Sequence, residues 1–174
     1  MGYKTIWISE NPWMLLLDAI THRTLQEMFD EFVGMEYMKD GGQMIRGGYP
    51  EVSRKMMDDA IDLVDLHGSS PVFMMLLTMN THHAYYDGEN RHPIKREWPE
   101  WNYANKMKSI KYFDGLAGEL FEAFRGTGRS TDVVVTANHG EMFGPGCISH
   151  NPIAHDLIFD EKLFEIPFIR GMIE

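Results

Sequence analysis

Apolar residues fall in short blocks along this chain, some continuous and some recurring every three to four positions. Lys4 to Ser9 reads as a short strand, stopped by the turn pair Asn11-Pro12. Leu25, Met28, Phe29, Phe32 and Val33 recur at helical spacing, with Gly34 placed to end that helix. The glycine-rich stretch from Asp40 to Gly48 predicts a loop. A second helix is expected from near Val52 to Leu66, with Met57, Ala60, Ile61 and Val64 on one face and Gly68 just past its end. Pro71 then opens Val72 to Met79, a continuous apolar run of the kind expected in a strand covered on both faces. Phe113, Leu116, Ala117, Leu120, Phe121 and Phe124 form an amphipathic stripe, and Gly126 and Gly128 close it before a strand at Asp132 to Ala137. A short helical turn at Phe159 to Phe164 and a last strand at Ile166 to Ile169 complete the reading.

Helices alternating with buried apolar strands predict an α/β fold, a largely parallel central sheet flanked by helices. With 174 residues, 44% of them hydrophobic, residues 1–174 are expected to form one domain. No run approaches the roughly 20 apolar residues that span a bilayer, and the first residues lack the basic start and apolar centre of a signal peptide. The expectation from this is a cytoplasmic protein with no membrane partner. The single cysteine, Cys147, rules out an internal disulfide and a cysteine-rich zinc site. A formal charge of −10 argues against nucleic acid, whose phosphates call for clustered Lys and Arg. Fourteen methionines lie at core-like positions and suit adaptable packing. The Gly-rich loop lacks the GK[ST] ending of a phosphate-binding P-loop.

Chemistry concentrates after two of the strands. The apolar run from Val72 ends in Asn80-Thr81-His82-His83, and the strand Val133-Val134-Val135-Thr136-Ala137 ends in Asn138-His139-Gly140-Glu141. Five of the eight histidines, His82, His83, His139, His150 and His155, lie in these two loops, which parallel strands would bring to one rim. Such a rim could bind a divalent metal, hold an oxyanion or pass protons near neutral pH. Any single histidine on a surface loop is more often a hydrogen-bonding or structural residue than a ligand. Glu141, one residue past a glycine, fits a turn or capping group as well as a base.

The stretch Thr136 to Gly144, TANHGEMFG, resembles the TADHGE or TSDHGE signature of the sulfatases and the wider alkaline-phosphatase superfamily. Further segments follow in the family's order. Gly2-Tyr3-Lys4-Thr5 with Ser9-Glu10-Asn11-Pro12 looks like the GYxT…SxNP segment of one sulfatase branch, without the Lys and His of the GKxH seen in others. Val72 to Tyr85, ending THHAY, is similar to a strand followed by H-x-P-Y, with Ala84 in place of Pro. Met107 to Phe124, with Asp114, looks like the YxxxIxxxD segment. His155-Asp156-Leu157, with Pro167 downstream, is similar to the HGLSLYDELLHVPLI pattern. The resemblance implies a truncated alkaline-phosphatase-like fold and a metal-dependent sulfate or phosphate ester hydrolase. Asn138 and His139 would stand at metal-binding positions, with His82 and His155 at positions contacting the ester's anionic group. The implied cofactor is a weakly held divalent metal: calcium, magnesium, manganese or zinc.

Two departures lower the expected activity. Asn138 stands where the family has Asp. The family's nucleophile (formylglycine, Ser or Thr) and two metal aspartates belong to an N-terminal segment ahead of the part resembled here. Cys147 lies in Gly-Pro-Gly-Cys-Ile, not in the C-x-P-x-R context that is modified to formylglycine. The chain is therefore expected to be catalytically incomplete alone. Its partners would be an anionic ester ligand and, because strand edges would be left uncovered, a second copy or a chain supplying the missing half. The alternative is a noncatalytic anion-binding or scaffold module.

Overall fold

A computed structural model describes residues 2–10, 24, 26–34, 39–40, 43–44, 50–82, 103–140 and 164–174. Among these residues there are three groups of strands and two long helices. Strand β1 (Lys4–Ser9) runs parallel to β2 (Glu31–Val33) on one side and to β5 (Val72–Leu77) on the other. Strands β3 (Lys39–Asp40) and β4 (Gln43–Met44) pair antiparallel, as do β6 (Thr131–Thr136) and β7 (Phe168–Ile173). The helices are α1 (Pro50–Leu66) and α2 (Tyr103–Gly126). No helix among the described residues is long and apolar enough to cross a membrane.

The core lies between the helices and the strands. Ile6 and Ile8 of β1 point to the helical side, where Val52, Met56, Met57, Ala60 and Val64 of α1 and Leu116, Leu120 and Phe124 of α2 are buried with Ile173 of β7. These are the period-two and period-3.6 faces that the two structure types create. Burying each large side chain stabilises the fold by about 1.5–3 kcal/mol relative to exposure. On the other side of β1, Trp7 meets Phe29 edge-on, with ring centroids 5.4 Å apart.

Both helices stop where the sequence places glycines. Gly68 and Gly128 have φ of 53° and 67°, a conformation that costs glycine little. Arg129 then ties the two ends together. Its guanidinium donates to the carbonyl of Val64 at 3.2 Å, to that of Gly68 at 2.6 Å and to that of Ser70. It thereby satisfies carbonyls left over at the end of α1. It also anchors the residues just before β6 to those just before β5.

Four expectations change. Residues 26–28 are helical, but Phe32 and Val33 belong to β2. Asp30 breaks the helix: its carboxylate accepts from the Thr5 amide at 2.8 Å and the Thr5 hydroxyl at 2.9 Å, which docks the following residues beside β1. The Gly-rich loop contains the β3–β4 pair. β5 is not covered on both faces. Val72, Met74 and Leu76 pack on the core, while Phe73 and Met75 are 50% and 42% exposed. A continuous apolar run does not reveal which of its two faces has a neighbour. The last strand begins at Phe168 rather than Ile166 and pairs antiparallel with β6, so β5 and β6 belong to separate sheets. The short turn expected at Phe159 to Phe164 lies outside the described residues apart from Phe164.

Candidate functional site

The polar centre of the described structure sits where β1 and β5 end. Their register runs to Ser9 opposite Leu77, and the Glu10 amide continues the ladder by donating to the Leu77 carbonyl at 3.1 Å. Beyond that point both chains turn polar while remaining inside the protein: Ser9, Glu10, Ser53 and Asn80 are all buried. A buried carboxylate is tolerable only when donors surround it. Oε1 of Glu10 accepts from the Met79 amide at 2.7 Å and from the Thr78 hydroxyl. The Ser53 hydroxyl, in the first turns of α1, lies 3.2 Å from Oε1 and 3.0 Å from Oε2. Nδ2 of Asn80 reaches Ser53 Oγ at 3.4 Å, and Oδ1 of Asn80 is buried with no hydrogen-bond partner among the described residues.

His82 follows this cluster by two residues. Its amide donates to the Met79 carbonyl at 3.0 Å, closing a tight turn, and the residue is half-buried. The turn that presents His82 is thus the one whose first residues, Thr78 and Met79, are held by Glu10.

Asn138 and His139 lie just beyond the end of β6. Asn138 is exposed, His139 is half-buried and Gly140 is buried. Nδ1 of His139 lies 2.7 Å from the Gly140 carbonyl. A carbonyl can only accept, so Nδ1 carries the proton in that bond, and in the neutral ring the lone pair is on Nε2. An Nδ1–H bond to a carbonyl is a common means of orienting a histidine for metal binding. The donors here, one imidazole and one neutral amide oxygen on adjacent residues, suit part of a divalent-cation shell. Among the described residues no group of three His, Cys, Asp or Glu side chains is placed to hold a metal ion.

Of the four residues singled out from the sequence, three are therefore found at strand ends: His82 after β5, and Asn138 with His139 after β6. His155 lies outside the described residues, as do His83, Glu141, Cys147 and His150. The expected common rim of a single parallel sheet is not what joins the two loops, because β6 pairs with β7 and not with β5. The sequence reading also missed Glu10, Ser53 and Asn80 as a group. A charged residue continuing an apolar strand without a break was the available signal. Ser53 gave none, since its partners are 43 and 27 positions away.

Solved structures with this fold include the lipoteichoic acid synthase LtaP from Listeria monocytogenes. It is 16% identical, covers 97% of this chain and 43% of its own, and has a TM-score of 0.64. The C-terminal periplasmic domain of EptC from Escherichia coli, in a complex with Zn, is also 16% identical with a TM-score of 0.64. The match covers 99% of this chain and 50% of that one. A protein of the alkaline phosphatase superfamily from Vibrio parahaemolyticus matches at 16% identity and a TM-score of 0.58, over 98% of this chain and 38% of its own. The chain thus spans half or less of each of these proteins. No curated protein matches it. The sulfatase family profile matches residues 1–170, and because that match takes in both histidine-bearing strand ends and nearly all of the chain, the chain belongs to the sulfatase family.

Proposed function

We propose that these residues carry the metal-binding and anion-recognition part of a sulfate or phosphate ester hydrolase site. The observation that carries the reading is the His139 Nδ1 bond to the Gly140 carbonyl, 2.7 Å long, within a stretch that resembles the TADHGE signature of the sulfatases. In this reading Asn138 and His139 hold a divalent metal, and His82 with His155 contacts the ester's anionic oxygens. When bound, the metal supplies Lewis-acid polarisation of an ester oxygen. His139 would hold it through Nε2. His82, at the end of β5, donates to an oxygen that gains charge as the ester bond breaks.

Asn138 gives the cation a carbonyl oxygen but no charge, so binding by this pair alone is weak. The C/S/T-x-P-x-R pattern that frames the family's nucleophile does not occur in the 174 residues. The nucleophile and the metal carboxylates in this reading come from sequence outside them, in the same polypeptide or in another. The neutral Asn138 also supports a second reading, a module that retains anion recognition without turnover.

The test is hydrolysis of nitrophenyl sulfate and nitrophenyl phosphate by the purified chain across divalent metals, beside His139→Ala. The reading predicts no turnover above the variant by these residues alone, together with metal binding that His139→Ala abolishes in calorimetry. Metal-dependent turnover lost in the variant would reveal a complete site, and metal binding that survives the variant would remove His139 from it.

A further inference from the structure

The buried Glu10 cluster lies outside the metal and anion roles assigned above, yet it is joined to one of them by the 78–82 turn. Its carboxylate joins two separate pieces of chain, Ser53 on α1 and the adjacent Thr78 and Met79 after β5, while its own amide extends the β1–β5 ladder. Within the turn, the Asn80 amide donates to the Thr78 hydroxyl at 3.1 Å and the His82 amide to the Met79 carbonyl at 3.0 Å. Both of these bonds end on a residue that Glu10 holds. A carboxylate suits this task because it accepts several hydrogen bonds at once and donates none. Bonds to a charged acceptor are also stronger than neutral ones.

We infer that Glu10 is a positioning residue: its carboxylate fixes the 78–82 turn and, through it, the direction in which His82 faces an anionic ligand. This rests on the proposed role of His82 in anion recognition. Asn80 is held in the same cluster through Ser53.

The experiment is nuclear magnetic resonance on the ¹⁵N-labelled chain, read in two ways. Inorganic phosphate is titrated while the His82 ring signals are followed, and hydrogen exchange of the Met79 amide is measured against the core amides of Ile6 and Ile8. Glu10→Ala is expected to weaken the phosphate response of His82 by about ten-fold or more and to speed Met79 exchange by at least a similar factor, with Ile6 and Ile8 unchanged. Glu10→Gln should recover most of both. Its oxygen still accepts from Met79 and Thr78, and its amide can donate to Ser53 Oγ. If Glu10→Ala does not fold, Thr78→Val removes one of the same bonds in an intact core and should loosen Met79 in the same direction. Unchanged Met79 exchange in a folded Glu10→Ala or Thr78→Val chain would overturn the inference. So would Glu10→Gln behaving no better than Glu10→Ala. A wild-type His82 that ignores phosphate would instead refute the anion reading of this site, and Met79 exchange would still decide whether Glu10 holds the turn.

Discussion

At Glu10 a single side chain in the interior replaces the water that its carboxylate and its three neighbouring donors would otherwise bind. Deleting it leaves buried donors unsatisfied, so Glu10→Ala should cost about 1–3 kcal/mol, measured as a lower urea midpoint. Asp30 is the corresponding device at the start of β1, at the surface. The Thr5 amide, then the Thr5 hydroxyl, hold its carboxyl below the usual carboxylate range, with smaller help from Lys4 and His67. A lowered folded-state value means that Asp30 contributes stability above the ordinary aspartate range and loses it as the pH falls through the folded value. Asp30→Asn should therefore reduce stability at pH 7 and flatten the acid side of the stability profile, and an acid titration of both chains by circular dichroism checks it. At the proposed metal positions, Asn138→Asp adds a charge and should tighten divalent-metal binding, read by calorimetry without any substrate. An unchanged affinity would separate residue 138 from the metal.

The helices and strands differ in how plainly local sequence announces them. α1 and α2 carry apolar stripes long enough to be unambiguous, and the glycines at 68 and 128 close them as expected. Residues 26–33 are too few for periodicity to decide, and the Thr5–Asp30 bonds turn the second half into β2. The same distinction governs mutation. Leu116, 2% exposed where α2 meets the core, should lose about 2–5 kcal/mol on truncation to Ala, whereas Met107, 42% exposed on the same helix, should lose little. Thermal unfolding of the pair tests whether this helix is held by its stripe. The exposed Arg54–Glu119 pair between α1 and α2 is a minor contributor by comparison, since solvent screens it.

For the whole molecule, what stands out is apolar surface on the strands. Phe73 and Met75 of β5, Val134 of β6, and Phe168, Ile169 and Met172 of β7 are all exposed. Large apolar side chains exposed in such number on strands are usually covered. With the structures it matches being at least twice as long, we expect self-association or binding to a further chain or segment, and sedimentation at micromolar concentration should show species larger than a monomer. A single monomeric boundary would contradict this. The amino-acid sequence by itself determined the helices, the main strands, the family and the placement of His82, Asn138 and His139 at strand ends, because periodicity, glycine stops and a contiguous motif are all local. Only the tertiary structure decided that β6 pairs with β7, that β5 has one open face, and that Glu10, Ser53 and Asn80 meet. Those depend on residues far apart in the chain, which no local pattern brings together.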